Sequence, residues 1–270
     1  MKKTYCLFVL MLIGSIASAQ SDGIPRDQKD EPLSDGYKPS SVNQPGKEYP
    51  QVNAEGRVRV QISAPEALKV QLDIGAVKYE LIKDENGVWT GESAPQDEGF
   101  HYYQLNIDGA SVPDPGSLYF YGASRWGSGI ETPAADQDFY ALKNVPHGQI
   151  REHIYFSVTN KSMRRCFIYT PPGYDKDMQN RYPVLYLQHG GGEDETGWSR
   201  QGHANLIMDN LIAEGKTRPF IIVMDNGTWS MPGQARPRPG ERPAGPWPPE
   251  GWADNFMNTL LKDKLLLCPS

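Results

Sequence analysis

The stretch that decides the fold of the second half of this chain is Tyr182-Pro183-Val184-Leu185-Tyr186-Leu187-Gln188-His189-Gly190-Gly191-Gly192. Its first part, from Tyr182 to Gln188, is a continuous apolar run rather than an alternating one, which is typical of a strand buried on both faces of a sheet. A run of glycines follows immediately, and glycine allows the backbone to approach a bound group closely. The stretch therefore predicts a buried strand that ends in a loop with accessible backbone N–H groups.

The residues around this stretch alternate between strand and helix patterns. Phe220 to Asp225 is a second continuous apolar run. Between the two runs, Ala204 to Ile212 has helical spacing and leads to Gly215, a good helix stop. Upstream, Ile150 to Val158 and Arg164 to Tyr169 indicate a pair of strands. The strand, helix, strand order points to an α/β layer.

The region from Val52 to Tyr140 has a different pattern, with short strands and frequent turns. Arg57 to Ile62 and Lys69 to Ile74 alternate polar and apolar residues, and Asp84-Glu85-Asn86-Gly87 is a hairpin signal. Several short strands at this spacing favour a β-sandwich, which we place at residues 51–142.

The N-terminus has the pattern of a cleaved secretory signal at residues 1–19. Lys2 and Lys3 precede the apolar run from Cys6 to Ile16, which is too short to span a bilayer, and Ala17-Ser18-Ala19 offers small residues for cleavage. Residues 20–50 are rich in polar residues and proline, which predicts a disordered leader. The expected location of the protein is therefore secreted or periplasmic.

Composition argues against nucleic acid as a partner. The 270 residues include 27 basic and 33 acidic side chains, for a formal net charge of −6, and the basic residues form no block or stripe. After removal of the signal, Cys166 and Cys268 are the two cysteines left. Cys166 lies in an apolar strand pattern that favours a buried thiol, and a disulfide to Cys268 stays open as the alternative.

The second half of the chain resembles the feruloyl and acetyl-xylan esterases of carbohydrate esterase family 1, an esterase D-like group of α/β-hydrolases. The matching segments are Tyr169–Tyr174 (YTPPGY), Tyr182–Gly192 (YPVLYLQHGGG) and Phe220–Gly227 (FIIVMDNG). The resemblance implies that residues 147–270 form the N-terminal half of an esterase domain, with a mostly parallel sheet in the strand order one, two, four, three. A strand carrying the nucleophile would pair outside strand three, so strand three would be an exposed apolar edge and the 270-residue chain poorly soluble.

The first half resembles the Ig-like module, similar to family-48 carbohydrate-binding modules, that precedes such esterases. The matching segments are Gly99–Tyr103 (GFHYY), Val112–Pro115 (VPDP) and Arg125-Trp126. Together the two resemblances imply a two-domain chain, an all-β Ig-like sandwich followed by an incomplete α/β-hydrolase. Trp89, Tyr119, Tyr121 and Trp126 are candidate glycan platforms, although core packing is the better expectation for Trp89 and for Tyr102.

The resemblance also implies a catalytic role for the glycine loop. Gly190 and Gly191 are the candidate oxyanion-hole residues, whose N–H groups would face a developing negative charge. The serine that attacks lies on a GxSxG turn in this family, followed by an acid and a histidine. No serine of the chain lies in such a turn; Ser124 and Ser199, for example, follow a glycine at the right spacing but lack the second glycine. The expectation is a truncated esterase without nucleophile, acid or base, inactive as it stands.

The implied substrate is a polysaccharide, feruloylated or acetylated xylan, with no cofactor and no membrane or nucleic-acid partner. Trp198 and Trp229 follow strand ends and are candidate substrate-binding residues. A metal site of His189, Glu193, Asp194 and His203 matches no zinc spacing, so no metal is predicted. The alternative function is a non-catalytic glycan-binding protein that uses the β-sandwich.

Overall fold

The computed structural model describes residues 36–176, 179–227 and 250–264. The chain divides into two compact units. Among the described residues, the N-terminal unit holds residues 36–138 together with 191–193, and the C-terminal unit holds the others from Phe139 onward. The predicted signal at residues 1–19 and residues 20–35 of the predicted leader lie outside the described residues.

The N-terminal unit consists of two antiparallel sheets. Its strands are β1 (Lys38–Pro39), β2 (Gln51–Val52), β3 (Val58–Ser63), β4 (Val70–Ile74), β5 (Val77–Glu80), β6 (Ile82–Lys83), β7 (Val88–Glu92), β8 (Gly99–Ile107), β9 (Ala110–Val112), β10 (Tyr119–Gly122) and β11 (Arg125–Thr132). One sheet has the order β1-β2-β3-β7-β6. The other has the order β10-β11-β8-β4-β5, with β9 beside β8.

The two sheets share one apolar core, as the alternating pattern predicts. Val58 and Val60 of β3 and Leu72 of β4 are completely buried in it. Each such side chain contributes about 1.5–3 kcal/mol when removed from water. Trp89 also belongs to this core, as predicted, whereas Tyr102 is outside the core cluster and half-buried. The sandwich is present, while its Ig-like character and its binding of glycan stay predictions.

Residues 36–50 differ from the predicted disordered leader, because part of this segment is folded. Strand β1 pairs with β2, and the side chain of Val42 is buried. The Asn43 side chain donates a hydrogen bond to the Pro50 carbonyl at 2.9 Å. A polar, proline-containing segment thus gains order from pairing with a sheet, which its own composition does not reveal.

The C-terminal unit consists of a four-stranded sheet with helices. Its elements are β12 (Gln149–Ser157), β13 (Ser162–Thr170), β14 (Val184–Gln188), α1 (Gly197–Arg200), α2 (Ala204–Ala213), β15 (Ile221–Asp225) and α3 (Trp252–Asn258), which continues as a π-helical segment (Thr259–Lys264). Short 3₁₀ turns occur at Gln137–Tyr140 and Tyr174–Lys176. Among the described residues, no helix is long and apolar enough to cross a membrane.

The strand order β12-β13-β15-β14 agrees with the order one, two, four, three that the resemblance implies. The expectation of a mostly parallel sheet is wrong for the described strands. Pairs β12–β13 and β13–β15 are antiparallel, and β14–β15 is parallel. β12 and β13 are consecutive strands of a hairpin, which makes that pair antiparallel, and β15 then pairs with β13 in the opposite direction.

Helix α2 covers the sheet of the C-terminal unit. Ala204 and Met208 of α2 pack on Tyr169, Ile222 and Met224 of the sheet. All of strand β15 is buried, as its continuous apolar run predicts. The same prediction for β14 is wrong, because β14 lies at the edge of the described sheet and is half-buried. The thiol of Cys166 in β13 is buried as well, and Cys268 lies outside the described residues.

Candidate functional site

The predicted loop lies where two parallel strands end side by side. Gln188 closes β14 directly opposite Asp225, which closes β15. His189-Gly190 therefore leaves the sheet at the same edge as Asn226-Gly227. Ligands of open α/β sheets bind outside the carboxyl ends of their strands, so this edge is the candidate site.

His189 links the two loops through its imidazole ring. Its Nε2 accepts a hydrogen bond from the Gly227 N–H at 3.0 Å. Its Nδ1 lies 2.8 Å from the carbonyl oxygen of Gly190. The sequence predicts that this side chain bonds neighbouring backbone rather than acting as a base, and the contacts agree with that interpretation.

The three glycines of the loop have different surroundings. Gly190 and Gly191 are exposed, and a Cβ placed on Gly191 would meet no atom within 4 Å. Gly192 has a φ of +80°, which other L residues rarely adopt, and its carbonyl accepts a hydrogen bond from the Ser124 N–H at 2.8 Å. Open space therefore adjoins the backbone at Gly191, one of the two candidate oxyanion residues.

Trp198 is anchored to the end of strand β14. Its indole Nε1 donates to the carbonyl of Gln188 at 2.8 Å, and its ring packs at the border of the apolar core. The indole thus has a structural contact, and its binding of substrate stays a prediction. Trp229 lies outside the described residues.

A buried acidic residue that the sequence analysis missed holds the second loop. Glu195 is 5% exposed, and its carboxylate receives Arg165 Nε at 2.6 Å and Asn226 Nδ2 at 2.7 Å. The carbonyl of Asn226 also accepts a hydrogen bond from Arg164. These bonds fix Asn226 and thereby the adjacent Gly227 amide that contacts His189.

The last residue of β15 belongs to a buried polar group. Asp225 Oδ1 accepts a hydrogen bond from the Tyr155 hydroxyl at 3.1 Å, and Arg164 lies 3.6 Å from its other oxygen. Burial raises the pKa of Tyr155 well above its ordinary value, and the charge of Asp225 adds to the effect. The hydroxyl therefore stays protonated as a donor across the physiological pH range.

The four residues considered for a metal do not converge. Asp194 accepts hydrogen bonds from the Thr196 amide and hydroxyl at 2.9 and 2.5 Å. The carboxylate of Glu193 receives the Tyr102 hydroxyl at 2.9 Å. Within the part of the chain that the structure describes, no three His, Cys, Asp or Glu side chains are placed to hold a metal ion.

A second polar network ties the start of the sheet to helix α2. Asp209 is 1% exposed, and its Oδ1 accepts hydrogen bonds from the Tyr169 hydroxyl at 2.7 Å and the Gly148 amide at 2.8 Å. Its Oδ2 faces His147 Nδ1 at 2.9 Å. The other ring nitrogen of His147 lies 3.0 Å from the Lys143 carbonyl, so both nitrogens face acceptors. This arrangement favours the doubly protonated ring.

We expect the protonation of His147 to depend on Asp209. The hydrogen bond to this carboxylate raises the pKa of His147 above its ordinary value of 6.5. The contribution of the His147–Asp209 pair to the stability of the folded state is therefore complete below the pKa of His147 in the unfolded chain. It is lost as the pH rises through the raised pKa of His147 in the folded protein. In Asp209→Asn the pKa of His147 should fall toward 6.5, as an NMR titration of the imidazole carbon protons will measure. An unchanged titration midpoint would contradict the assignment.

Comparisons with known proteins agree with the resemblance of the C-terminal unit. Residues 157–267 match the sequence model of the family described as "Putative esterase". An endo-1,4-beta-xylanase/feruloyl esterase of Xylanibacter ruminicola is 51% identical over 199 residues, which are 71% of this chain and 27% of that protein. Endo-1,4-beta-xylanase Y of Acetivibrio thermocellus is 36% identical over 78 residues, which are 28% of this chain and 7% of that protein. The chain thus spans about a quarter or less of the length of these relatives.

Solved structures with a similar fold include esterases. The enterobactin esterase of Shigella flexneri has a TM-score of 0.54 at 14% identity, over 78% of this chain and 58% of that chain. This likeness concerns the fold alone. A ferulic acid esterase of Anaeromyces mucronatus, solved with ferulic acid, has a TM-score of 0.40 at 25% identity, over 50% of this chain and 47% of that chain.

Proposed function

We propose that this chain is part of a carboxylic ester hydrolase that acts on feruloylated or acetylated xylan, a proposal supported by the match of residues 157–267 to the sequence model of the esterase family. The observation that carries the proposal is the glycine loop His189–Gly192 at the carboxyl end of β14, with open space at Gly191. The relative that is 51% identical and named as a xylanase and feruloyl esterase supports the substrate class.

In the proposed reaction, a serine attacks the ester carbonyl and a histidine acts as its base. The contribution of the described residues is to bind the oxygen on which negative charge develops, through a backbone N–H of the glycine loop. No GxSxG turn occurs in residues 1–270, so the proposed site has no nucleophilic serine for an acid and a histidine to activate. A polypeptide of only these residues is therefore proposed to be inactive.

The proposed location is outside the cytoplasm. The charged and apolar pattern of residues 1–19 supports export, as does a polymeric substrate that cannot enter a cell. N-terminal sequencing of the exported protein tests this part of the proposal, with Gln20 as the expected first residue. An unprocessed Met1 in the exported protein would contradict it.

The test of the function compares two polypeptides on methyl ferulate and on a chromogenic acetyl ester. One contains residues 1–270, and the other is a fusion of residues 1–263 to the rest of the feruloyl esterase domain of the Xylanibacter ruminicola relative. We expect turnover by the fusion and none above background by the 270-residue chain. Absence of turnover in a folded fusion would contradict the proposed function. Serine-dependent turnover by residues 1–270 alone would contradict the proposal that they are inactive by themselves. Sequencing of the gene beyond codon 270 provides an independent check for a GxSxG turn.

A second candidate function is glycan binding by the N-terminal unit. Trp126 and Tyr119 are 50% and 43% exposed, and the Trp126 ring meets Tyr121 edge to face at 5.6 Å. Exposed aromatic rings of this kind stack on sugars. Retention of the 270-residue chain on insoluble xylan, lost in Trp126→Ala, would favour this function. Equal retention of both proteins would contradict it.

A further inference from the structure

The imidazole of His189 has backbone groups at both of its nitrogens, and these define its tautomer. The Gly227 amide can only donate, so Nε2, 3.0 Å away, is its acceptor in the neutral ring, and the side-chain amide of Gln188 lies beside the same two groups. The Gly190 carbonyl can only accept, so Nδ1, 2.8 Å away, must carry the proton. The neutral ring with its hydrogen on Nδ1 satisfies both contacts at once.

This tautomer also sets the direction of the next backbone amide. The Gly190 carbonyl and the Gly191 N–H belong to one trans peptide unit, in which the two groups point in opposite directions. A hydrogen bond that holds the Gly190 oxygen toward the ring therefore directs the Gly191 N–H away from it. The backbone at Gly191 adjoins open space, with no atom within 4 Å of a Cβ placed there.

We propose that His189 is a positioning residue that aims the Gly191 N–H at the oxyanion of the substrate, an inference that rests on the proposed function. His189 takes part in no proton transfer in this role, because both ring nitrogens are engaged with backbone. It acts on the reaction by orienting the peptide unit between Gly190 and Gly191, which carries the donating N–H. The inference also selects Gly191 rather than Gly190 as the donor.

Gly227, which contacts Nε2 of His189, is held in place by buried contacts of its neighbours. Gly227 follows Asn226, whose side chain donates to the buried carboxylate of Glu195 and whose carbonyl accepts from Arg164. Strand β15 before it is buried along its whole length. The Gly227 amide is therefore held in a fixed position, and the His189 ring, hydrogen-bonded to it, holds the glycine loop in a fixed position as well.

The first experiment tests the tautomer in the 270-residue chain, independently of catalysis. Long-range ¹H–¹⁵N NMR of the His189 ring should show a protonated Nδ1 and an unprotonated Nε2. A coupling across the hydrogen bond should also connect Nε2 to the Gly227 amide nitrogen. A proton on Nε2 in the neutral ring would overturn the inference.

The second experiment measures kinetics in the serine-containing fusion described above. The amide nitrogen of Asn in His189→Asn can take the place of Nδ1 and donate to Gly190, whereas His189→Gln and His189→Phe lack a donor there. We expect kcat to fall by about 10²-fold in the Gln and Phe variants, with KM changed less than about twofold, and by less than about tenfold in the Asn variant. Melting temperatures of all variants show whether the fold is kept.

The outcomes separate this inference from the proposed function. Absence of turnover in the folded wild-type fusion would overturn the proposed function and the oxyanion role together. Turnover with an unchanged kcat in His189→Phe would overturn the positioning role alone. A rise in KM at constant kcat would also overturn it, because this pattern indicates lost substrate binding rather than lost stabilisation of the transition state.

Discussion

Replacement of Asp209 by alanine should lower the free energy of unfolding of the C-terminal unit by about 4 kcal/mol. The carboxylate accepts hydrogen bonds from the Tyr169 hydroxyl and the Gly148 amide, and Tyr169 is completely buried. Each donor that stays buried without a partner costs about 1–3 kcal/mol. The alanine also leaves space where the carboxylate was. Urea unfolding followed by circular dichroism, together with hydrogen exchange of residues 204–213, will measure the loss.

Two matched variants test the reason for this effect. Asp175→Ala removes a carboxylate that is 55% exposed and pairs with the partly exposed Arg151, so the loss should stay below about 1 kcal/mol. Tyr169→Phe removes one donor and leaves the Gly148 amide bonded, so about 1 kcal/mol is expected. If Asp209→Ala costs no more than Asp175→Ala, the network does not stabilise the unit.

The sequence predicted the elements that depend on local pattern. Continuous apolar runs located β14 and β15, and the helical spacing from Ala204 to Ile212 corresponds to α2 at Ala204–Ala213. The order of the four strands followed from the resemblance, and it is present. Apolar periodicity located both strands but did not separate the buried β15 from the half-buried β14. It also contains no information on strand direction, so the antiparallel pairing of β13 with β15 could not be predicted from it.

The polar networks were missed because their members are far apart in sequence. His147 and Asp209 are separated by 62 residues, and Arg165 and Glu195 by 30. An acidic residue in a helical pattern is ordinarily assigned to the solvent face, so nothing in the sequence around Asp209 indicates burial. His189 was the exception, because its backbone contacts involve its own neighbour, Gly190, in addition to Gly227.

Replacement of Gly191 by proline should lower kcat of the serine-containing fusion by about 10²- to 10³-fold. Proline has no backbone N–H, and it is the one natural residue that removes this donor without removing the residue itself. Loss of one oxyanion-hole donor lowers kcat by about 10²- to 10³-fold, because the hydrogen bond is strongest in the transition state, where the carbonyl oxygen carries negative charge. Steady-state hydrolysis of methyl ferulate will give kcat and KM for each variant.

Gly191→Ala is the matched control, because it keeps the N–H and adds a single methyl group. That methyl group would enter open space, with no neighbouring atom within 4 Å, and Gly191 does not have a positive φ that alanine would strain. The alanine variant should therefore retain kcat within about threefold, since each factor of ten corresponds to about 1.4 kcal/mol of barrier. Equal losses in both variants would attribute the effect to the shape of the loop. A loss confined to proline is the result expected if the amide hydrogen is the group that acts, and an unchanged KM and melting temperature would separate this from a change of the loop backbone, which proline also restricts.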